Sequence, residues 1–225
     1  VKPTKMPPTL PELRRHVVRV SHALHARSWV ANHDGNVSIR LPGGRILITP
    51  TAQSKGDVRD ADLVEIDLEG RIRSGSRKPP SEMKLHLLAY RERPDVHAII
   101  HAHPPESVAH AVCGMEIPTK MMAEPVVSIG EHIPLVPFHS PGSADLHAHV
   151  RKAVHQANCL LLENHGPLIL GADLEQAILR LELVEHLARI HRAAITLGGP
   201  KQIPEGVVKE LAKKHRKAGL APPLN

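Results

Sequence analysis

Residues 95–103, "DVHAIIHAH", constrain the chain more than any other stretch. The run is short, rich in Ile and Val, and fenced by Pro94 on one side and Pro104-Pro105 on the other, which predicts a buried β-strand. Side chains two apart on a strand share a face. The pattern therefore offers His101 and His103 as two ligands of one metal ion.

Spacing alone does not establish that, because 18 of the 225 residues are histidine and chance pairs are expected. The chain has a second H-x-H pair, His147 and His149 in "SADLHAHVRKAV". There Leu146, Val150 and Val154 recur at four-residue spacing between Ser143 and Asn158, which predicts a helix. Side chains two apart on a helix point to nearly opposite sides, so this pair is expected to diverge and to bind nothing jointly.

The other segments read as a mixed α/β chain. Leu13, Val17, Val20 and Leu24 predict an amphipathic helix over 11–30, and "GNVSIRLPGGRILITPT" and "LVEIDLEGRIR" each predict a hairpin. Ser81 is placed to cap a helix that Pro94 ends, with Glu82 in its first turn and Leu85, Leu88 and Ala89 facing inward. A helix over 105–112 follows the histidine strand, then turns and short strands through "IPTKMMAEPVVSIGEHIPLVPF". After the 144–156 helix, "CLLLENHGPLIL" reads as a strand broken at Asn164-His165-Gly166, and Asp173 with Gln176 starts a long helix reaching about residue 197. Strands that follow one another without crossover helices imply a layered α/β domain with a mostly antiparallel sheet flanked by helices. The length suits one domain, with a core over about 11–198 and a basic helical tail over 199–225.

Composition narrows the functions. Trp29, Tyr90 and Phe138 are the only aromatic residues, so stacking on nucleic-acid bases is unavailable, and the net charge of +6 comes partly from the tail rather than from a reader motif. No nucleic-acid partner is expected. There is no G-x-G-x-x-G or Walker loop, no apolar leader and no run of 18 apolar residues, which argues against nucleotide binding, secretion and a membrane span. Cys113 and Cys159 sit in apolar sequence and form no C-x-x-C motif, so both are expected to be buried, reduced thiols in a cytoplasmic protein.

Taken in order, "GNVS", "TPTAQSKG", "PSEMKLH" with "HAIIHAH", and "ENHGPLI" resemble the class II aldolase/adducin family over most of the chain. The resemblance implies a divalent metal, zinc first with manganese or cobalt as alternatives, held by His101, His103 and His165. Three imidazoles leave room for substrate oxygens, as a catalytic rather than a structural ion requires. Glu82 matches the family's proton-transfer acid, which can also ligate the metal; the alternative is an ordinary acid at a helix N-terminus. Gly166 is expected to let the chain turn sharply behind His165.

For a substrate phosphate the resemblance implies Asn36 and Ser38 of "GNVS", Thr51 and Ala52 of the next loop, and Ser81. Two positions depart from the family pattern: Ala52 stands where glycine is usual, and Pro80 replaces a serine, removing positive-φ freedom and a hydroxyl with an N–H donor respectively. Lys55 is a candidate cationic partner for the phosphate, set against an ordinary exposed loop lysine. The family's proton-donating tyrosines are absent, since Tyr90 lies inside the helix after Glu82.

The resemblance thus implies a metal-dependent aldolase that cleaves or forms a C–C bond in a ketose phosphate or similar hydroxy-carbonyl substrate through a stabilised enediolate. A decarboxylase or an epimerase on the same site, or a non-enzymatic adducin-like module, are the alternatives. A small-molecule substrate, a homotetramer and carbohydrate metabolism are implied with it.

Overall fold

The structure, a computed structural model, describes residues 8–223. The first seven residues of the proline-rich start and the last two of the basic tail lie outside the described residues. Among the described residues seven α-helices and eight strands succeed one another: α1 (Leu10–Ala26), β1 (Asn36–Arg40), β2 (Ile46–Ile48), β3 (Val64–Ile66), β4 (Ile72–Ser74), α2 (Met83–Glu92), β5 (Ala98–His101), α3 (Pro105–Val112), α4 (Ala123–Ser128), β6 (Leu135–Val136), α5 (Ala144–Val154), β7 (Cys159–Leu162), β8 (Gly166–Gly171), α6 (Leu174–Thr196) and α7 (Glu205–Lys217).

The strands form one sheet in the order β4-β3-β2-β1-β5-β8-β7-β6, antiparallel throughout except for β6 beside β7. Period-2 alternation feeds both faces. Along β5 and just beyond it, Ala98, Ile100 and Ala102 join a core built with α1 and α6, while Ile99 joins a second core built with α2 and α5. Each fully buried Ile or Leu of these layers contributes about 1.5–3 kcal/mol of burial. No helix among the described residues is long and apolar enough to cross a membrane.

Several boundaries depart from sequence expectation. Helix α1 stops four residues short of 30 because Ser28 takes a left-handed backbone (φ 56°) and Trp29 N–H closes on Leu24 O at 3.0 Å. The carbonyl of Trp29 then accepts His103 N–H at 2.7 Å, so the end of α1 is tied to the histidine strand. Ser81 does not cap α2. The helix starts at Met83, Glu82 occupies the cap position in an αR conformation, and no side chain caps it. The segment expected as turns and strands contains α4, whose Pro125 sits in the first turn where a missing N–H costs nothing. Cys159 is buried as expected, but Cys113 is exposed, because it follows the last turn of α3 on the outer surface.

Candidate active site

The register of the sheet assembles the site. Asn36 on β1 pairs with His101 on β5, His101 pairs with Leu168 on β8, and the β7–β8 hairpin carries His165 in its turn. Val37 and Ile39 belong to the core on one side, so Asn36 and Ser38 face the other, where α2 begins. Alternation therefore puts Asn36, Ser38, His101 and His103 on the face that Glu82 overhangs.

Four polar atoms converge there. His101 Nε2 lies 3.0 Å from His103 Nε2, 3.1 Å from His165 Nε2 and 3.2 Å from Glu82 Oε1, and His165 Nε2 lies 2.9 Å from the same oxygen. His101 Nδ1 donates to Pro167 O at 2.9 Å, which leaves the lone pair on Nε2. Asp34 Oδ2 stands 3.7 Å from His103 Nδ1, and Asn36 Nδ2 donates to Glu82 Oε2 at 2.6 Å.

Burial disfavours charge on the Glu82 carboxyl, but His101 and His165 outweigh it and hold the group below the usual carboxylate range. Burial pulls His101 down, and Glu82 more than offsets this, so His101 ends raised. Burial and the two neighbouring rings push His103 down to about 4.

Three imidazole nitrogens within 4.8 Å of one another, with lone pairs facing a carboxylate oxygen, repel unless a cation lies among them. This donor set suits a borderline divalent ion. The residues present fit a metal.

The hairpin turn achieves this without the device expected of Gly166. It is Asn164 that adopts positive φ (55°), and Gly166 does not. Glycine at 166 is required by closeness: a Cβ there would stand 2.8 Å from Ala102 O and 3.0 Å from the His103 ring.

The residues expected to hold a phosphate are not brought together equally. Asn36 is turned toward Glu82. Ser38 is fully buried, its hydroxyl 2.7 Å from His86 Nδ1 and 2.9 Å from the Tyr90 hydroxyl, so it braces α2. Thr51 and Ser81 are exposed, and Ala52 keeps a left-handed backbone (φ 54°) despite its Cβ. Lys55 is no exposed loop lysine. It is 1% exposed, and its Nζ donates to Gln53 O at 2.9 Å and His33 O at 3.1 Å. Burial lowers its pKa to about 8, against the pull of Asp34 and Glu82.

Sequence reasoning missed His86 and the wall opposite Glu82. His86 sits one turn after Glu82, a spacing that signals a shared helix face. A cleft of about 380 Å³ opens from Glu82 and His165 toward Phe138, His139, Leu146 and His147. No local periodicity marks residues 137–142, so only the folded chain reveals that wall.

A fold and a three-histidine centre of this kind define an aldolase-type class. The model of the class II aldolase and adducin N-terminal domain matches residues 15–192, and the chain belongs to that family. It is 30% identical over 203 residues to the 5-deoxy-D-ribulose 1-phosphate aldolase of Bacillus thuringiensis serovar kurstaki, covering 89% of this chain and 94% of that one. It is also 30% identical over 182 residues to the 3-oxo-tetronate 4-phosphate decarboxylase of Escherichia coli, covering 79% and 85%. Among solved structures, an L-fuculose 1-phosphate aldolase superposes with a TM-score of 0.85 at 25% identity, covering 92% of this chain and 98% of that one.

Proposed function

We propose that this chain is a divalent-metal-dependent aldolase that cleaves or forms the C–C bond between the carbon next to the ketone and the hydroxyl-bearing carbon beyond it in a ketose phosphate. The observation that carries the reading is Glu82, whose one oxygen reaches His101 and His165 while Asn36 fixes the other. His101, His103 and His165 would hold the metal, zinc on this donor set with manganese or cobalt as alternatives. Bound there, the ion supplies a Lewis acid that polarises the substrate's carbonyl and hydroxyl oxygens.

The chain's own groups do the remaining work. In cleavage the hydroxyl carbon becomes an aldehyde and loses its O–H proton, and the carbon next to the ketone takes up a proton. Glu82 moves the proton at that second carbon. As a carboxylate it is set to accept a proton in the synthetic direction. Thr51 and Ser81 offer hydroxyls to the phosphate, Ala52 an N–H on its left-handed backbone, and Lys55 a buried positive charge behind that loop.

Decarboxylation of a 3-oxo acid phosphate is the second reading. Tyr90, the only tyrosine, is buried against Ser38, and burial raises its pKa, so it serves poorly as a proton donor to an aldol oxygen. We extend the first reading to a cytoplasmic homotetramer, on the resemblance already described.

Metal-loaded protein assayed with a ketose 1-phosphate and with a 3-oxo acid phosphate tests the choice. Aldehyde release from the ketose supports the aldolase. Carbon dioxide release without aldehyde from any ketose replaces it with the decarboxylase, and light scattering checks for four copies.

A further inference from the structure

The two rings of the helical H-x-H pair have separate surroundings. His147 lines the cleft that opens from Glu82 and His165. His149 lies outside that lining and stacks on His139, ring centroids 4.7 Å apart at 28°, while its Nδ1 donates to Asp145 O at 2.9 Å. His139 in turn lines the cleft beside His147.

Both cleft histidines present the same anomaly. The Nε2 atoms of His139 and His147 are buried and have no hydrogen-bond partner among the described residues. Buried polar atoms of folded proteins are nearly always paired, and an unpaired one at a functional cleft points to a ligand atom. The wall that carries them is tied to the reacting centre, because Phe138 N–H donates to Glu163 Oε2 at 2.7 Å and Glu163 begins the turn that holds His165. The cleft includes Ser81 but not Asn36, Thr51 or Ala52, so it meets the residues read as the phosphate site at Ser81 and extends away from the Thr51 loop.

We propose that His147 and His139 are specificity-determining residues that hydrogen-bond a hydroxyl on the aldehyde half of the substrate. The proposal rests on the aldolase reading of the same site. A neutral imidazole nitrogen donates or accepts according to its tautomer, which matches a hydroxyl's double capacity. Leu85, Leu146, Leu162 and Phe138 supply carbon walls around it, so the cleft suits a short hydroxyaldehyde. His149, by stacking on His139, is a positioning residue.

The test compares glyceraldehyde with propanal as acceptors in aldol addition by the metal-loaded protein, with dihydroxyacetone phosphate as the common donor, in wild type, H147L and H147Q. Wild type favours glyceraldehyde in kcat/KM by at least about tenfold, the scale of one net hydrogen bond. H147L brings the ratio below about threefold and H147Q restores part of it, with metal content confirming an intact centre. An unchanged ratio in H147L and H139L, or a wild-type preference for propanal, overturns the proposal.

Failure of the aldolase reading shows itself differently, as no addition to any aldehyde. The assignment is then decided by nitrogen NMR of the His147 ring. A shift on adding glyceraldehyde but not propanal sustains hydroxyl recognition, and no shift overturns it.

Discussion

Two identical spacings meet opposite fates in this molecule. His101 and His103 stand at the end of a strand, and their Nε2 atoms lie 3.0 Å apart. His147 and His149 stand on α5, where one enters the cleft and the other stacks on His139 outside its lining. The difference is one of backbone period, since a strand repeats every two residues and a helix every 3.6. Convergence of an H-x-H pair is thus a property of the element and not of the motif.

The strand region is where changes cost most. E82Q keeps the shape of the side chain but removes its charge and with it the base, and turnover falls by at least about 10²-fold while the fold and most of the metal remain. Steady-state kinetics with metal analysis checks this. Loss of metal instead would make Glu82 chiefly a ligand.

A second expectation concerns the brace behind the strand. Burial, with His101 adding to it and Glu82 opposing, pushes fully buried His86 down to about 3 from an ordinary value of 6.5. The unfolded chain therefore binds a proton on His86 below 6.5 that the folded chain refuses until about 3. Stability is full above pH 6.5 and falls as pH drops through that window, by about 1.4 kcal/mol per unit, or about 2 kcal/mol between pH 7 and 5. Urea unfolding at the two values reads it, and H86Q flattens the slope by that amount.

Much of this arrangement was legible in the sequence, for reasons that are local. The β-branched run between prolines announced β5, the four-residue repeat announced α5, and Asp173 does accept Gln176 N–H at the start of α6. What local pattern could not carry was tertiary. Lys55 looks like a loop lysine until the loop folds its Nζ onto two carbonyls. Ser38 belongs to the "GNVS" motif but spends its hydroxyl on His86 and Tyr90. The His139 wall joins the site only because Glu163 fastens a patternless loop to the hairpin turn.

Smaller effects sharpen the contrast between rigid and tolerant regions. A52G should stabilise the protein by about 1 kcal/mol, since alanine at φ 54° bears a cost that glycine escapes. Thermal or chemical unfolding measures it, and a loss of stability would mean that the alanine methyl packs usefully. H149A, on the exposed side of α5, should change stability by no more than about 0.5 kcal/mol.

Metal stoichiometry tests the central claim most directly. Purified wild type, H103A and H147A are loaded with zinc, dialysed and analysed by mass spectrometry, with circular dichroism confirming that each is folded. The account predicts one ion per chain in wild type and H147A, and a large loss in H103A. Undiminished metal in folded H103A, or loss in H147A, would contradict the assignment of the ion to the strand pair.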